Sequence, residues 1–115
     1  MGAFAAGKVV LLPFPFSDLT GNKLRPALLL ANVDRGDWIA CQITSNPYAD
    51  AWAITLEDDA FAEGGLQRIS YVRPGKLFTA NESLIAVSRG SLNAQVLARV
   101  RDAVVAMIRE NPRIS

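Results

Sequence analysis

The sequence predicts a mainly β domain: a compact antiparallel sheet or small barrel of roughly five to seven short strands, with one C-terminal helix. Three observations carry this. Short apolar runs rich in Val, Ile and Leu recur between clusters of Gly, Pro, Asn and Asp. Only the last stretch, from Ala94, repeats its apolar residues at helical spacing. The chain has 115 residues, half of them hydrophobic and a fifth charged, which is enough for one domain over 1–115 with one core and no disulfide staples.

The first strand is read at Lys8 to Phe14, a KVVLLPF run bounded by Gly7 and by Pro13 and Pro15, which force an extended exit. Residues 1–6 are expected to be a flexible N-terminal segment. A polar loop with the turn signal Thr20-Gly21-Asn22 leads to Pro26. Proline's missing N–H is tolerated at the start of a strand, so the second strand is placed at Pro26 to Asn32. Asp34-Arg35-Gly36-Asp37 makes a tight turn, and Trp38 to Thr44 completes a hairpin expected at the centre of the sheet. Ser45 to Ala51 is a loop, and Ala53 to Leu56 is a short fourth strand. Glu57, Asp58, Asp59 and Glu63 form an acidic connection ending in Gly64-Gly65. Leu66 to Arg73 alternates apolar and polar residues as a half-exposed strand does. Pro74-Gly75 turns the chain into a short strand at Lys76 to Thr79, and Ile85 to Ser88 adds another extended piece. The helix is placed from Ala94 to about Glu110, with Leu97, Val100, Val104, Met107 and Ile108 on one face. Asn93 is its N-cap, Leu92 and Leu97 form a hydrophobic staple, and Asn111-Pro112 stops it.

Composition removes several kinds of chemistry. There is no histidine and one cysteine, so histidine acid–base catalysis, a structural zinc site and an internal disulfide are excluded. No metal or other cofactor is expected. Cys41, within WIACQIT, fits a buried core position. The chain carries 12 basic and 11 acidic side chains, for a net charge of +1. Any polyanion site must therefore come from local clustering. The N-terminal MGAFAAG lacks the charged and apolar regions of a signal peptide, and no apolar run approaches the ~20 residues that span a bilayer. A soluble cytoplasmic protein without membrane contact is expected.

Arg25 is the first candidate site residue. It stands where the polar loop ends and an apolar strand begins, so its guanidinium can be fixed at the rim of a core. There it can anchor a phosphate or carboxylate, or simply form an ion pair at the strand start. Four motifs in order then give more: GKVVLLPFPFSDLTGNKLRPALLL, WIACQITS, GGLQRISYVRPGKLF and a tail ending in a helix. Over Gly7 to about Glu110 this order closely resembles the MazF/PemK (Kid) toxin family of type II toxin–antitoxin systems. The resemblance implies an SH3-like β barrel, a homodimer, and a metal-independent endoribonuclease that cuts single-stranded RNA at short motifs and so inhibits translation. It also implies an antitoxin partner that covers the RNA groove. Arg25 matches the family's active-site arginine of the RP motif, and Thr44 with Ser45 matches its hydroxyl pair. The chain departs from the family at Gly7-Lys8, where Gly-Asp is usual. It also has Asn22-Lys23 ahead of Arg25, no histidine, and Ser70-Tyr71 where an aspartate is expected.

Cleavage through the RNA's own 2′-hydroxyl needs a base, a stabiliser of phosphorane charge and an acid for the leaving oxygen. Arg25 suits the second task, since a planar cation can hold two phosphate oxygens as their charge grows. Thr44 and Ser45 can donate to the same phosphate, or can cap a strand end. Asp18 is the nearest carboxylate and the candidate base; its other role is to cap the Ser-Asp-Leu-Thr turn. RNA grip is assigned to Lys23, Arg68, Arg73 and Lys76. Tyr48 and Trp52 are candidates for stacking unpaired bases or for rim packing. On the expected strand Arg68 and Arg73 face opposite ways, so they need not act together. The missing acidic and histidine groups define the alternative, a catalytically weak member acting as an RNA- or protein-binding module. A topoisomerase-directed toxin of the same fold is a further alternative.

Overall fold

The computed structural model describes residues 4–13 and 23–111. Along them run β1 (Lys8–Pro13), β2 (Leu24–Asp34), β3 (Asp37–Thr44), β4 (Ile54–Leu56), β5 (Phe61–Gly64), β6 (Ser70–Asn81), β7 (Val87–Leu92) and α1 (Ala94–Glu110). The strands form one sheet in the order β4-β6-β3-β2-β1-β7-β5, and every pairing is antiparallel. The two edge strands, β4 and β5, follow each other in sequence and are joined by a 3-10 turn at Asp58–Ala60. That short link holds the two edges together and curls the sheet into a nearly closed barrel, which leaves little open edge for pairing with another chain. The mainly β barrel with a terminal helix is as expected from the sequence.

Local chemistry explains the pieces. In the β2–β3 hairpin Asp34 pairs with Asp37, so the turn is the two residues Arg35 and Gly36, both with positive φ (52° and 82°). That is the conformation whose twist matches the flanking strands. Alternation along β1, β2 and β3 divides their apolar side chains between two clusters. Val9, Leu28, Leu30, Cys41 and Ile43 join Val72, Leu92 and Val100 in the main core, while Val10, Leu12, Ala27, Leu29 and Ala40 join Trp38 and Ala80 in a second. Phe4 and Ala6 pack on the second cluster. The helix covers the first through Val96, Leu97, Val100, Ala103 and Val104.

The helix begins at its expected N-cap. Asn93 Oδ1 accepts from the Val96 N–H at 2.9 Å, while its amide donates to the Asp59 carbonyl at 2.9 Å and its backbone N–H to Ala60 at 2.8 Å. One residue therefore caps α1 and ties it to the turn that closes the barrel. Further along, Arg101 donates from both Nε and Nη2 to the Leu30 carbonyl, at 3.2 and 2.8 Å. This carbonyl lies where the β2–β3 register shifts, between Leu29 and Ala31.

Several boundaries differ from the sequence expectation. β2 starts at Leu24, two residues before Pro26, because Leu24 and Arg25 pair with Pro13 and Leu12 of β1. The acidic connection contains the 3-10 turn and β5, which pairs with β7. Leu66 to Ile69 lies outside any strand, and the expected fifth and sixth strands are one, β6. Pro74-Gly75 is not a turn. Cys41 pairs with Leu77 and Gln42 with Arg73, so Pro74, Gly75 and Lys76 bulge from a strand that continues past them. The last extended piece runs on from Val87 to Leu92. Ile108 is 66% exposed, so it leaves the core face of α1 to Val96 and Ala103.

Candidate functional site

A groove of about 690 Å³ opens between the Arg25 end of β2, the Thr44 end of β3, the 65–68 connection and β7. Among the described residues its wall carries four cations from three segments of the chain, Lys23 with Arg25, Arg68, and Arg89, and no aspartate or glutamate. Polar groups from Gln42, Thr44, Ser45, Gln67 and Ser70 complete it. Arg25 is half-buried within β2, opposite Leu12, and not on a loop as the sequence led one to expect. Strand pairing fixes its backbone more firmly than a loop mouth would. On the other side Ala27 pairs with Gln42. Arg25 and Thr44 lie just beyond this last pair of the ladder, and both line the groove.

The hydroxyl pair sits at the start of a self-capped loop. Thr44 Oγ1 accepts from the Asn46 N–H at 3.1 Å, and Asn46 Oδ1 accepts from the Tyr48 N–H at 2.9 Å. The Thr44 oxygen is thereby oriented by the backbone while its proton stays available to donate. Ser45 is exposed beside it. Ser70 is buried, and its hydroxyl donates to the Arg68 carbonyl at 3.1 Å, holding the connection that carries Arg68.

Arg89 had no place in the sequence reading. It is the extra residue where β7 shifts register against β1, since Val9 pairs with Gly90 and Val10 with Ser88. Its carbonyl accepts from the Gly65 N–H at 3.0 Å, which ties β7 to the 65–68 connection. The close crossing of Gly64 and Gly90 makes this approach possible. A Cβ on Gly64 would lie 2.5 Å from the Arg89 carbonyl oxygen, and one on Gly90 would meet the Glu63 carbonyl oxygen. The sequence reading had Gly64 only as the end of the acidic connection; Gly90 and its crossing with Gly64 were not part of it.

The remaining expected site residues divide. Lys23, Tyr48 and Arg68 line the groove; Trp52, Arg73 and Lys76 do not. Trp52 is half-buried, and its backbone N–H donates to Asp50 Oδ1 at 2.9 Å. Arg73 is ion-paired to Asp50, Nε to Oδ2 at 3.0 Å. Lys76 is on the β6 bulge, exposed and away from the groove. Asp18, the candidate base, lies outside the described residues. Cys41 is buried, and desolvation pushes its thiol up to about 12; it is core, with no access to the groove. Among the described residues no three His, Cys, Asp or Glu side chains cluster in a way that could hold a metal ion, and no helix is long and apolar enough to cross a membrane.

Comparison with known proteins follows the same line. The chain resembles MazF of Deinococcus radiodurans, at 26% identity and a TM-score of 0.69, over 90% of this chain and 94% of that one. A MazE–MazF complex from the same organism matches at 26% identity and a TM-score of 0.71, over 92% and 96% of the two chains. An endoribonuclease in complex with its cognate antitoxin from a Mycobacterial species shares the fold at 17% identity and a TM-score of 0.68, over 99% and 100%. No curated protein sequence gives a significant match. The family model of PemK-like, MazF-like toxins of type II toxin–antitoxin systems matches residues 5–108, and the chain belongs to that family.

Proposed function

We propose that this protein is an endoribonuclease toxin that cleaves single-stranded RNA in the groove between β2, β3 and β7, and that a cognate antitoxin restrains it. The observation that carries this reading is the wall itself: Lys23, Arg25, Arg68 and Arg89 converge with no carboxylate among the described lining residues. In a chain of net charge +1, such segregation favours a polyanion. A groove walled by cations with a tyrosine at hand suits an unpaired strand, whose bases can splay against the wall.

Within it, Arg25 binds the non-bridging oxygens of the scissile phosphate and stabilises the charge that grows as the 2′-oxygen attacks. Thr44 and Ser45 donate to the same phosphate and fix its orientation. The attack forms a 2′,3′-cyclic phosphate and breaks the bond to the 5′-oxygen, which takes a proton from solvent, and none of these three residues needs a metal to take part. Asp18, which lies between β1 and β2 in the sequence, is the candidate for accepting the 2′-proton. The MazE–MazF complex among the similar structures supports an antitoxin partner for this chain, and a homodimer belongs to the same reading.

The test is incubation of purified protein with mixed-sequence single-stranded RNA in EDTA, with product ends mapped, beside Arg25→Ala. Cleavage leaving cyclic phosphate ends, reduced about 100-fold or more in the variant at unchanged melting temperature, is the expected result. Undiminished cleavage by Arg25→Ala would sink the assignment. The lack of any carboxylate on the described wall favours one second reading, a member that holds RNA without cutting it. Tight binding of intact RNA by a folded sample, with no products, would establish that reading instead.

A further inference from the structure

Arg73 looks at first like a fifth groove cation, but its charge is already engaged. Its side chain is 18% exposed and that of Asp50 14% exposed, and the two are joined at 3.0 Å. The guanidinium carbon also lies 5.1 Å from the centre of the Tyr48 ring. Asp50 has a second task, since its other oxygen accepts from the Trp52 N–H at 2.9 Å and its own N–H reaches the Pro47 carbonyl at 2.9 Å. Between these bonds the chain takes positive φ at Tyr48 (54°) and Ala49 (57°), a conformation that non-glycine residues adopt only when the surroundings hold it. The result is a tyrosine with one face laid on a fixed guanidinium, yet 60% exposed and on the groove wall beside Thr44 and Ser45.

We propose that Asp50 and Arg73 are positioning residues that hold the Tyr48 ring as a stacking platform for one unpaired base at the edge of the groove; this rests on the reading of the groove as a single-stranded RNA site. Arg73 is anchored on β6 opposite Gln42 of β3, so the platform is referenced to the rigid centre of the sheet and not to its own loop. A ring fixed before binding loses little conformational freedom when a base stacks on it. Recognition then divides in two. The groove cations take the phosphates, and Tyr48 takes a base face without reading its edge.

The experiment is binding by fluorescence anisotropy of a short 2′-O-methyl RNA, which has no 2′-hydroxyl to attack, beside an abasic strand of equal length. The native protein should bind the base-bearing strand about tenfold or more tightly than the abasic one. Tyr48→Phe should keep that preference, and Tyr48→Ala should lose it. Arg73→Met alone leaves a part-buried carboxylate without its cation and risks unfolding, so the pair is removed together as Asp50→Asn/Arg73→Met. That variant should also lose the preference while binding the abasic strand as before. Arg25→Ala should weaken both strands alike. A Tyr48→Ala protein that still prefers the base-bearing strand would overturn the platform. A double variant that keeps the preference when Tyr48→Ala loses it would overturn the positioning role. Native protein that binds neither strand would overturn the RNA reading itself, and the platform with it.

Discussion

Arg25 and Cys41 illustrate what a single position can and cannot disclose. Arg25 was legible because an arginine between a polar loop and an apolar run must put a charge at the edge of a core. Its companions across the groove, Arg68 and Arg89, lie far away in sequence and meet it only through the sheet. Cys41 was legible as core, and the structure adds a consequence. Burial lifts its thiol from 9.0 to about 12, so above pH 9 the unfolded chain loses this proton while the folded chain keeps it. Stability from this group is therefore intact below pH 9 and declines as pH rises from there towards 12, by about 1.4 kcal/mol per pH unit. Cys41→Ala lacks that decline. The stability gap between native protein and variant, measured by urea unfolding at pH 8 and pH 10, should narrow at the higher pH by roughly 1 kcal/mol. An unchanged gap would mean the thiol is not held dry.

At the scale of elements, what the sequence shows is what is local. The hairpin with Arg35-Gly36 and the helix capped by Asn93 each carry their signals within a few residues, and both form where expected. β5 and the continuity of β6 were not legible. Phe61–Gly64 has no alternating pattern of its own and exists because β7 pairs with it, while Pro74-Gly75 reads as a turn until β3 is seen to pair on both sides of it. The β5–β7 crossing yields a prediction at this scale. Gly64 has φ of 69°, and an added Cβ would lie 2.5 Å from the Arg89 carbonyl oxygen and 2.7 Å from Gly90 Cα. Gly64→Ala must therefore move backbone against backbone. It should cost about 3 kcal/mol or more, lowering the melting temperature by roughly 10 °C. Gly65→Ala is the control, because no atom lies within 4 Å of its added Cβ, and it should melt within about 2 °C of the native protein. Equal melting of the two variants would show that the crossing is looser than described.

For the whole molecule the decisive property is how charge is distributed over a nearly neutral chain. The composition gives +1 and points to no polyanion. Folding brings Lys23, Arg25, Arg68 and Arg89 into one groove, and sends Glu57, Asp58 and Asp59 to the wall of a neighbouring one that shares Leu66, Gln67 and Arg68 with it. Lys23, Arg25 and Arg68 were each named from the sequence as candidate contacts, but neither their meeting in one groove nor the arrival of Arg89 could be read from three separate segments. Segregation of this kind has a thermodynamic signature that does not depend on cleavage. If each of the four cations neutralises one phosphate of a single strand, the logarithm of the binding constant should fall against the logarithm of salt concentration with a slope of about −3. Arg89→Ala should reduce the magnitude of that slope by about 0.7, as should Arg68→Ala. Asp50→Asn/Arg73→Met should leave it unchanged, because the Arg73 charge is already met by Asp50 at 3.0 Å. Anisotropy titrations of a 2′-O-methyl RNA across a range of salt concentrations measure all four slopes. A native slope near zero would mean the groove does not grip a phosphate chain, and a reduced slope in the double variant would place Arg73 among the phosphate contacts after all.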